Sequence, residues 1–309
     1  GFIKLDGLFK EDVIDVSSLK KRFSIDDNKK TILFAPTFYP SSVEPIGLRL
    51  GEYTRDYNLL IKPHLWTTFK NKFADVDHSV QRKLFSDLIN KYDHIHLIPP
   101  EFYNITPFYM ISDLLLTEAS STIYEMLALE KPVIVNRFFK LRLSHRIFKW
   151  RLYKRRLNQE MERDISDFCF EANNPDDLPK IIEYAMNNKK IKLKQMHQYK
   201  EKMLFKLDGN AAVRARDEIL SRLKENISKL GYEFDMANLD TDGTTSFPLR
   251  YGSGGFGVNY DENPYGEFQE DDGISKHIEG GLSLMVNVTP TGTGKSIVNA
   301  EVVRNLESE

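Results

Sequence analysis

The chain has 309 residues, of which 41% are hydrophobic and 28% charged, and its net charge is −2. This composition excludes collagen-like, mucin-like and wholly disordered proteins. Residues 1–225 carry 38 Lys and Arg against 31 Asp and Glu, whereas residues 226–309 carry 5 against 14 and hold 12 of the 17 glycines. We therefore predict a boundary near residue 226.

The first part, residues 1–225, alternates short apolar runs with segments of helical periodicity. This alternation is typical of βαβ units and of a mostly parallel sheet. We predict strands at Thr31–Ala35, Asn58–Ile61, Ile95–Ile98, Leu114–Thr117, Val133–Val135 and Phe168–Phe170. Helices are predicted at Val80–Tyr92, Thr122–Leu129, Leu178–Met186 and Ala211–Leu223. The fold class is therefore α/β, with a doubly wound, Rossmann-like sheet.

The second part, residues 226–309, lacks either periodicity over most of its length. We expect an acidic, Gly-rich extension that is partly disordered or a small β-rich appendage. Order is expected to resume with a strand at residues 282–288 and a helix at residues 297–306. Between them, Thr289–Ser296 resembles a phosphate-binding loop, but Thr289 stands where the first glycine belongs, so a Gly/Thr-rich hairpin turn is favoured.

Cellular location is indicated by two features. Cys169 is the single cysteine, so no internal disulfide can form, which indicates a reducing compartment. The sequence has no apolar run near the ~20 residues of a membrane-spanning helix, and its first residues do not form a signal peptide. We therefore expect a cytoplasmic protein that contacts a membrane only peripherally, at its inner face.

A candidate phosphate site lies between a predicted strand and a predicted helix. The strand ends at Thr117, a turn with Ser120 and Ser121 follows, and the helix begins near Thr122. Hydroxyl groups beside the unpaired amides of a helix start bind phosphate, and ligands bind at the carboxyl ends of parallel strands. The alternative is a structural N-cap in which Thr122 and Glu125 form a capping box; both interpretations can hold together.

A second candidate is the segment Lys62-Pro63-His64, which follows another predicted strand. An imidazole here can donate to a phosphate oxygen and stabilise charge that develops on a leaving group, and Lys62 adds a positive charge. The alternative is a histidine that only makes structural hydrogen bonds.

Five segments, in this order, resemble the CDP-glycerol glycerophosphotransferase family, which comprises teichoic-acid and capsule polymerases of GT-B architecture. The resemblance spans residues 1 to about 225. The segments are GFIKLD at residues 1–6, TILFAPT at 31–37, KPH at 62–64, the run from Ser112 to Val135, and DGNAAVR at 208–214.

The resemblance implies the donor half of a transferase that binds a CDP-activated alditol, without a metal or other cofactor, and transfers the alditol phosphate to a cell-surface polymer or lipid-linked acceptor. It implies that His64 and the Ser120/Ser121 pair contact the donor diphosphate, that Glu125 lies near the nucleotide ribose, and that Arg214 supports the site.

Two departures from the family pattern bear on activity. Glu118 and Ala119 stand where the family often has Asp-Tyr, and the acceptor-side domain that precedes GFIKLD in the family is absent from this sequence. A chain that supplies only one wall of a two-domain cleft should bind the donor better than it catalyses transfer from the donor. A noncatalytic module that binds donor or an anionic membrane is therefore kept as the alternative to an enzyme.

A third candidate surface is the basic segment, residues 136–158. Its apolar residues Phe139, Leu143, Ile147, Trp150 and Tyr153 are spaced to line one face of a helix. Such a helix fits an anionic membrane surface or a polyanionic acceptor, while the alternative is a surface helix packed on its own domain. No motif supports nucleic-acid binding. The cations are Lys140, Arg142, Arg146, Lys149, Arg151, Lys154, Arg155 and Arg156.

Overall fold

A computed structural model describes residues 2–10, 14–68, 77–102, 104–148, 150, 159–229, 282–290 and 296–304. The chain divides into two compact units, Gly1–Ala211 and Ala212–Glu309. The change in composition near residue 226 falls inside a helix of the second unit, Ala211–Lys229.

The first unit is built on one sheet of six parallel strands in the order β3-β2-β1-β4-β5-β6. The chain runs outward from β1 to β3 and then returns to the other side of β1 to form β4, which is the doubly wound arrangement. The predicted fold class is thus confirmed. The strands are β1 Thr31–Ala35, β2 Asn58–Ile61, β3 Ile95–Leu97, β4 Leu114–Thr117, β5 Val133–Asn136 and β6 Phe170–Ala172.

The strands are apolar throughout because both faces of the sheet are covered. Along β1, Leu33 and Ala35 belong to the core on one face, whereas Ile32 and Phe34 belong to the core on the other. Side chains alternate between faces along a strand, so a run of five buried residues fills two cores at once.

Helices cover both faces of this sheet. Helices α6, α7, α9 and α11 contribute to the core that contains Leu33, while α2, α3, α5 and α10 contribute to the core that contains Ile32. No helix among the described residues is long and apolar enough to cross a membrane. The α-helices are α1 Val16–Arg22, α2 Val43–Ile46, α3 Arg49–Tyr53, α4 Leu65–Thr68, α5 Ser79–Lys91, α6 Thr106–Ile111, α7 Thr122–Ala128, α8 Leu143–Ile147, α9 Gln159–Phe168, α10 Leu178–Asn187, α11 Leu193–Met203 and α12 Ala211–Lys229; 3-10 helices span Ile3–Phe9, Pro175–Asp177 and Lys189–Lys192.

The last strand of the sheet lies two residues later than predicted. Phe168 ends α9, and β6 begins at Phe170. Phe168 and Cys169 are buried, as strand residues are. The predicted bounds are wrong because burial does not distinguish a strand from the end of a helix, where Phe168 lies.

Described residues of the C-terminal extension form an antiparallel pair, β7 Leu282–Pro290 and β8 Ser296–Arg304, in which Pro290 pairs with Ser296. The predicted helix after Ser296 is therefore wrong: β8 is a strand. A phosphate-binding loop of the P-loop type requires a helix at this position, where β8 stands instead; residues 291–295 lie outside the described residues.

Candidate functional site

The candidate site lies at the carboxyl edge of the sheet, where the order of strands reverses between β1 and β4. Ligands of open α/β sheets bind in the crevice at such a switch point. Phe38 and Tyr39, which follow β1, form a small apolar cluster with Trp66, Ala119 and Leu141, which follow β2, β4 and β5. This cluster brings four strand-end loops together.

His64 is held as a neutral imidazole in the loop after β2. Its Nδ1 accepts the backbone N–H of Trp66 at 3.1 Å, and its ring centroid lies 4.9 Å from that of Phe38. Burial lowers the pKa of His64 to about 4, with the charges of His78 and Lys62 adding to the effect. Because Nδ1 is an acceptor, the proton of the neutral ring belongs on Nε2, which can therefore donate to a ligand.

Lys62 supplies a positive charge beside His64. Burial lowers the pKa of Lys62 to about 8, the charge of Lys4 lowers it further, and Glu101 opposes the shift. Within the part of the chain that the structure describes, no carboxylate lies within ion-pair distance of its Nζ. A partly buried ammonium without an ion pair favours an anionic ligand.

Lys4 is a cation of this edge that sequence analysis missed as a site residue. Its Nζ lies 2.9 Å and 2.8 Å from the two carboxylate oxygens of Glu125, and the Tyr109 hydroxyl donates to the same carboxylate at 2.7 Å. The Glu125 side chain is fully buried, while that of Lys4 is 36% exposed. Lys4 lies within the family-like segment GFIKLD, which was the only signal for it.

The predicted capping box is wrong, because the carboxylate of Glu125 turns away from the start of its own helix to Lys4. Ser121 is the N-cap of α7 and makes no side-chain capping bond. The predicted contact of Glu125 with a ribose stays a prediction, and the ligand-free chain leaves this side chain no exposed surface.

The hydroxyl groups of the turn after β4 differ in whether they are hydrogen-bonded to other described residues. Ser120 Oγ and Thr122 Oγ1 lie 2.5 Å apart, and Thr117 donates to the carbonyl of Ala35 at 2.7 Å. Among the described residues, the Ser121 hydroxyl has no hydrogen-bond partner. Ser121 is therefore the hydroxyl of this turn that is best placed to bind a ligand without losing another bond.

Glu118 is a second group that sequence analysis missed, because its identity was noted only as a departure from the family pattern. It directly follows β4 and is 1% exposed. Its carboxylate accepts the backbone N–H groups of Thr37 and Ser42 at 2.6 Å and 2.8 Å. Burial raises the pKa of Glu118, and these hydrogen bonds oppose the rise. Glu118 therefore joins the loop after β4 to the loop after β1.

The basic segment does not form the single helix that its spacing predicted. Arg142 is extended (ψ 153°), α8 covers only Leu143–Ile147, and Phe148 leaves the helical region (φ −111°, ψ 69°). The Tyr39 hydroxyl accepts the backbone N–H of Arg142 at 3.1 Å, which fixes the extended conformation before α8. Phe139 and Lys140 therefore precede the helix and do not lie on its face.

Three predicted cations of this segment have partners within the domain. Lys140 lies 2.5 Å from Glu44, the Arg142 guanidinium lies 4.8 Å from the centre of the Tyr39 ring, and Arg146 Nε donates to the Leu141 carbonyl at 3.0 Å. Lys149, Arg151, Lys154, Arg155 and Arg156 lie outside the described residues.

The apolar residues of the same segment are exposed. Leu143 is 70% exposed, Ile147 63%, Trp150 59% and Phe148 44%. The alternative prediction, that this face packs on its own domain, does not hold for Leu143 and Ile147, while Tyr153 lies outside the described residues. Exposed apolar residues grouped in this way mark interaction surfaces.

Two further predictions concern the last helix and metal binding. Arg214 lies on α12, which continues into the second unit, and its supporting role stays a prediction. Within the described ranges, no three His, Cys, Asp or Glu side chains are grouped so that they could hold a metal ion. At the start of α12, the Ala211 N–H donates to Asp6 at 3.0 Å, which joins the segments GFIKLD and DGNAAVR.

Comparisons with solved structures identify the same fold. Two structures of the wall teichoic acid polymerase TagF, one of them a variant soaked with CDPG, each align with a TM-score of 0.50 and 18% identity. Each alignment covers 74% of this chain and 52% of the TagF chain, so the chain spans about half the length of TagF. No curated protein sequence matches. The family model for CDP-Glycerol:Poly(glycerophosphate) glycerophosphotransferase matches residues 1–221, and the chain belongs to this family.

Proposed function

We propose that the carboxyl edge of the sheet binds the diphosphate of a CDP-activated alditol, with CDP-glycerol as the preferred donor. The observation that carries this proposal is the partly buried ammonium of Lys62, which lacks an ion pair among the described residues and lies beside the neutral His64. A diphosphate would supply the missing counter-charge. Membership of the glycerophosphotransferase family supports the choice of donor.

In the proposed reaction, a hydroxyl oxygen of a cell-surface polymer or lipid-linked acceptor attacks the β-phosphorus of the donor. A new P–O bond forms, the bond from that phosphorus to the oxygen of CMP breaks, and CMP leaves while the proton of the acceptor hydroxyl passes to solvent water. His64 Nε2–H and Lys62 stabilise the negative charge on the leaving phosphate. His64 acts as a donor and not as the base, because a pKa of about 4 makes its imidazole a weak base, its Nδ1 already accepts from Trp66, and its Nε2 carries the proton.

Calorimetric titration of the full chain with CDP-glycerol, CDP and UDP tests the proposal. CDP-glycerol and CDP should bind, and UDP should bind at least about tenfold more weakly, as expected when a site hydrogen-bonds one base and not the other. Lys62→Met should weaken CDP-glycerol binding, whereas Lys83→Met, which removes an exposed lysine of α5 paired with Asp87, should not. Equal affinity for all three ligands, or no binding, would reject the donor assignment.

A noncatalytic donor-binding module is the second candidate, because His64 and Lys62 can bind a diphosphate but neither is assigned as the base for the acceptor hydroxyl. The two candidates differ in turnover. Release of CMP from CDP-glycerol in the presence of a poly(glycerol phosphate) acceptor supports the transferase. Binding of CDP-glycerol without CMP release supports the module.

We also propose that the segment from Leu141 to Trp150 rests on an anionic membrane surface, at the inner face of the cell membrane. The exposed side chains of Leu143, Ile147 and Trp150 would enter the headgroup region, with Arg146 beside them. Flotation with vesicles that contain or lack anionic lipid tests this. Leu143→Ser/Ile147→Ser should abolish flotation with anionic vesicles, and unchanged flotation would reject the surface. Val80→Ser on α5, at a site 47% exposed, is the matched control.

A further inference from the structure

The carboxylate of Glu118 organises the loop after β1. Glu118 accepts three hydrogen bonds from this loop: from the backbone N–H of Thr37, from the backbone N–H of Ser42 and from the Ser42 hydroxyl. The two amides are five residues apart, so the carboxylate closes the loop at both of its ends. Glu118 and Ser42 are fully buried, so water does not compete for the two bonds from Ser42, while the bond from Thr37 is partly buried.

The direction of the bond from the Ser42 hydroxyl is set by a residue at the end of the next strand. Asn136 Nδ2 donates to Ser42 Oγ at 2.8 Å. Because this donor occupies an acceptor position of the hydroxyl, the Ser42 proton points toward Glu118. Asn136 is the last residue of β5, so the ends of β4 and β5 hold the loop after β1 from two sides.

The closed loop carries the ring that packs against His64. Between Thr37 and Ser42, Phe38 lies 4.9 Å from His64 and 4.7 Å from Trp66, measured between ring centroids. Trp66 in turn donates its backbone N–H to His64 Nδ1. Phe38 therefore contacts both the imidazole and the residue that fixes its tautomer.

From this chain of contacts we infer that Glu118 is a positioning residue for His64: by closing the loop Thr37–Ser42 it holds Phe38 against the imidazole and keeps Nε2 directed at the donor diphosphate. Glu118 acts through Phe38 and does not touch the donor. The inference rests on the function proposed for His64, but the placement of the imidazole can be measured without any ligand.

The variant Glu118→Gln tests the inference in the full chain. A glutamine must place its NH₂ group toward the N–H of either Thr37 or Ser42, so at least one of the loop's bonds is lost and replaced by a repulsion between donors. We expect the pKa of His64, measured by NMR of its Cε1–H in the ligand-free chain, to rise from about 4 toward its ordinary value. We also expect affinity for CDP-glycerol to fall at least about tenfold, as misplacement of a binding group does.

Glu171→Gln is the matched control. Glu171 is also a hydrogen-bonded carboxylate of a strand, but it binds Arg137 and Ser166 at β6. This variant should leave the His64 titration unchanged. If Glu118→Gln folds and its His64 titration matches the wild type, the inference is wrong.

If Glu118→Gln does not fold, the variant Phe38→Leu provides the second test of the inference. It removes the ring and leaves the three bonds of Glu118 in place, so it should also raise the pKa of His64; an unchanged titration would overturn the inference. Failure of the proposed function can be distinguished from failure of this inference. If the wild-type chain does not bind CDP-glycerol, the donor assignment is rejected, while the titration of His64 in the ligand-free chain still tests the role of Glu118.

Discussion

Lys4 and Glu125 form an ion pair across 121 residues of sequence, with the ammonium 2.9 Å and 2.8 Å from the two carboxylate oxygens. The carboxylate is fully buried and also accepts from Tyr109. A buried carboxylate that loses its cation is left uncompensated, which is far more costly than the ion pair is stabilising. The pair therefore ties the N-terminal 3-10 helix to α7.

Lys4→Met should lower the free energy of unfolding by about 3 kcal/mol, at the low end for a buried pair because Lys4 is partly exposed. Lys4→Met/Glu125→Leu should be more stable than Lys4→Met, since the second change removes the uncompensated charge. Urea denaturation at pH 7 measures both. If the double variant is the less stable one, Glu125 is not compensated by Lys4.

Lys62 should take up a proton when donor binds. Its pKa is about 8 in the ligand-free chain, and a neighbouring phosphate raises the pKa of an amine. At pH 8, CDP-glycerol binding should therefore be accompanied by uptake of up to about half a proton at this group. Calorimetry in buffers of different ionisation enthalpy measures the uptake.

The matched control is Lys62→Arg, which keeps the charge but does not titrate. This variant should bind CDP-glycerol without the uptake that Lys62 provides. At pH 6.5 the wild type should also show little proton uptake on binding, because Lys62 is already protonated at that pH before the donor binds. The same uptake in wild type and Lys62→Arg would contradict a role for Lys62.

His64 should make stability depend on pH below neutrality. Its folded pKa of about 4 lies below the ordinary 6.5, so the unfolded chain binds the proton first. Stability from the neutral imidazole is present above pH 6.5 and is lost as the pH falls from 6.5 to 4, by at most about 1.4 kcal/mol per pH unit.

Comparison with His64→Gln isolates this contribution, because burial also lowers the pKa of His78, His94 and His96. The difference in unfolding free energy between wild type and His64→Gln should change between pH 6.5 and 4 and be constant from pH 7 to 8. A difference that does not vary with pH would show that His64 titrates normally.

The sheet could be predicted from the sequence because each buried strand is a short apolar run. Thr31–Ala35 and Leu114–Thr117 have the predicted bounds, since both faces of these strands are covered and no polar residue interrupts them. Burial alone does not distinguish a strand from a helix end, which is why Phe168 was assigned to β6 and not to α9.

Site residues at strand ends could be placed at the correct edge of the sheet, but their partners could not be predicted. The spacing of Thr122 and Glu125 fits a capping box, and only the fold brings Lys4 close enough to take the carboxylate. The spacing of Phe139 to Tyr153 fits a helix, but Tyr39 holds Arg142 extended from a loop 103 residues earlier. Such contacts depend on tertiary structure and leave no local pattern.

We expect the donor diphosphate to lie against His64, and NMR of the His64 Cε1–H during titration with CDP-glycerol measures this contact. The resonance, assigned with His64→Gln, should shift on binding, and the pKa of His64 should rise from about 4 because phosphate charge favours the imidazolium. If CDP-glycerol saturates the chain by calorimetry while the His64 resonance and its titration stay unchanged, the donor binds elsewhere and His64 does not contact the diphosphate.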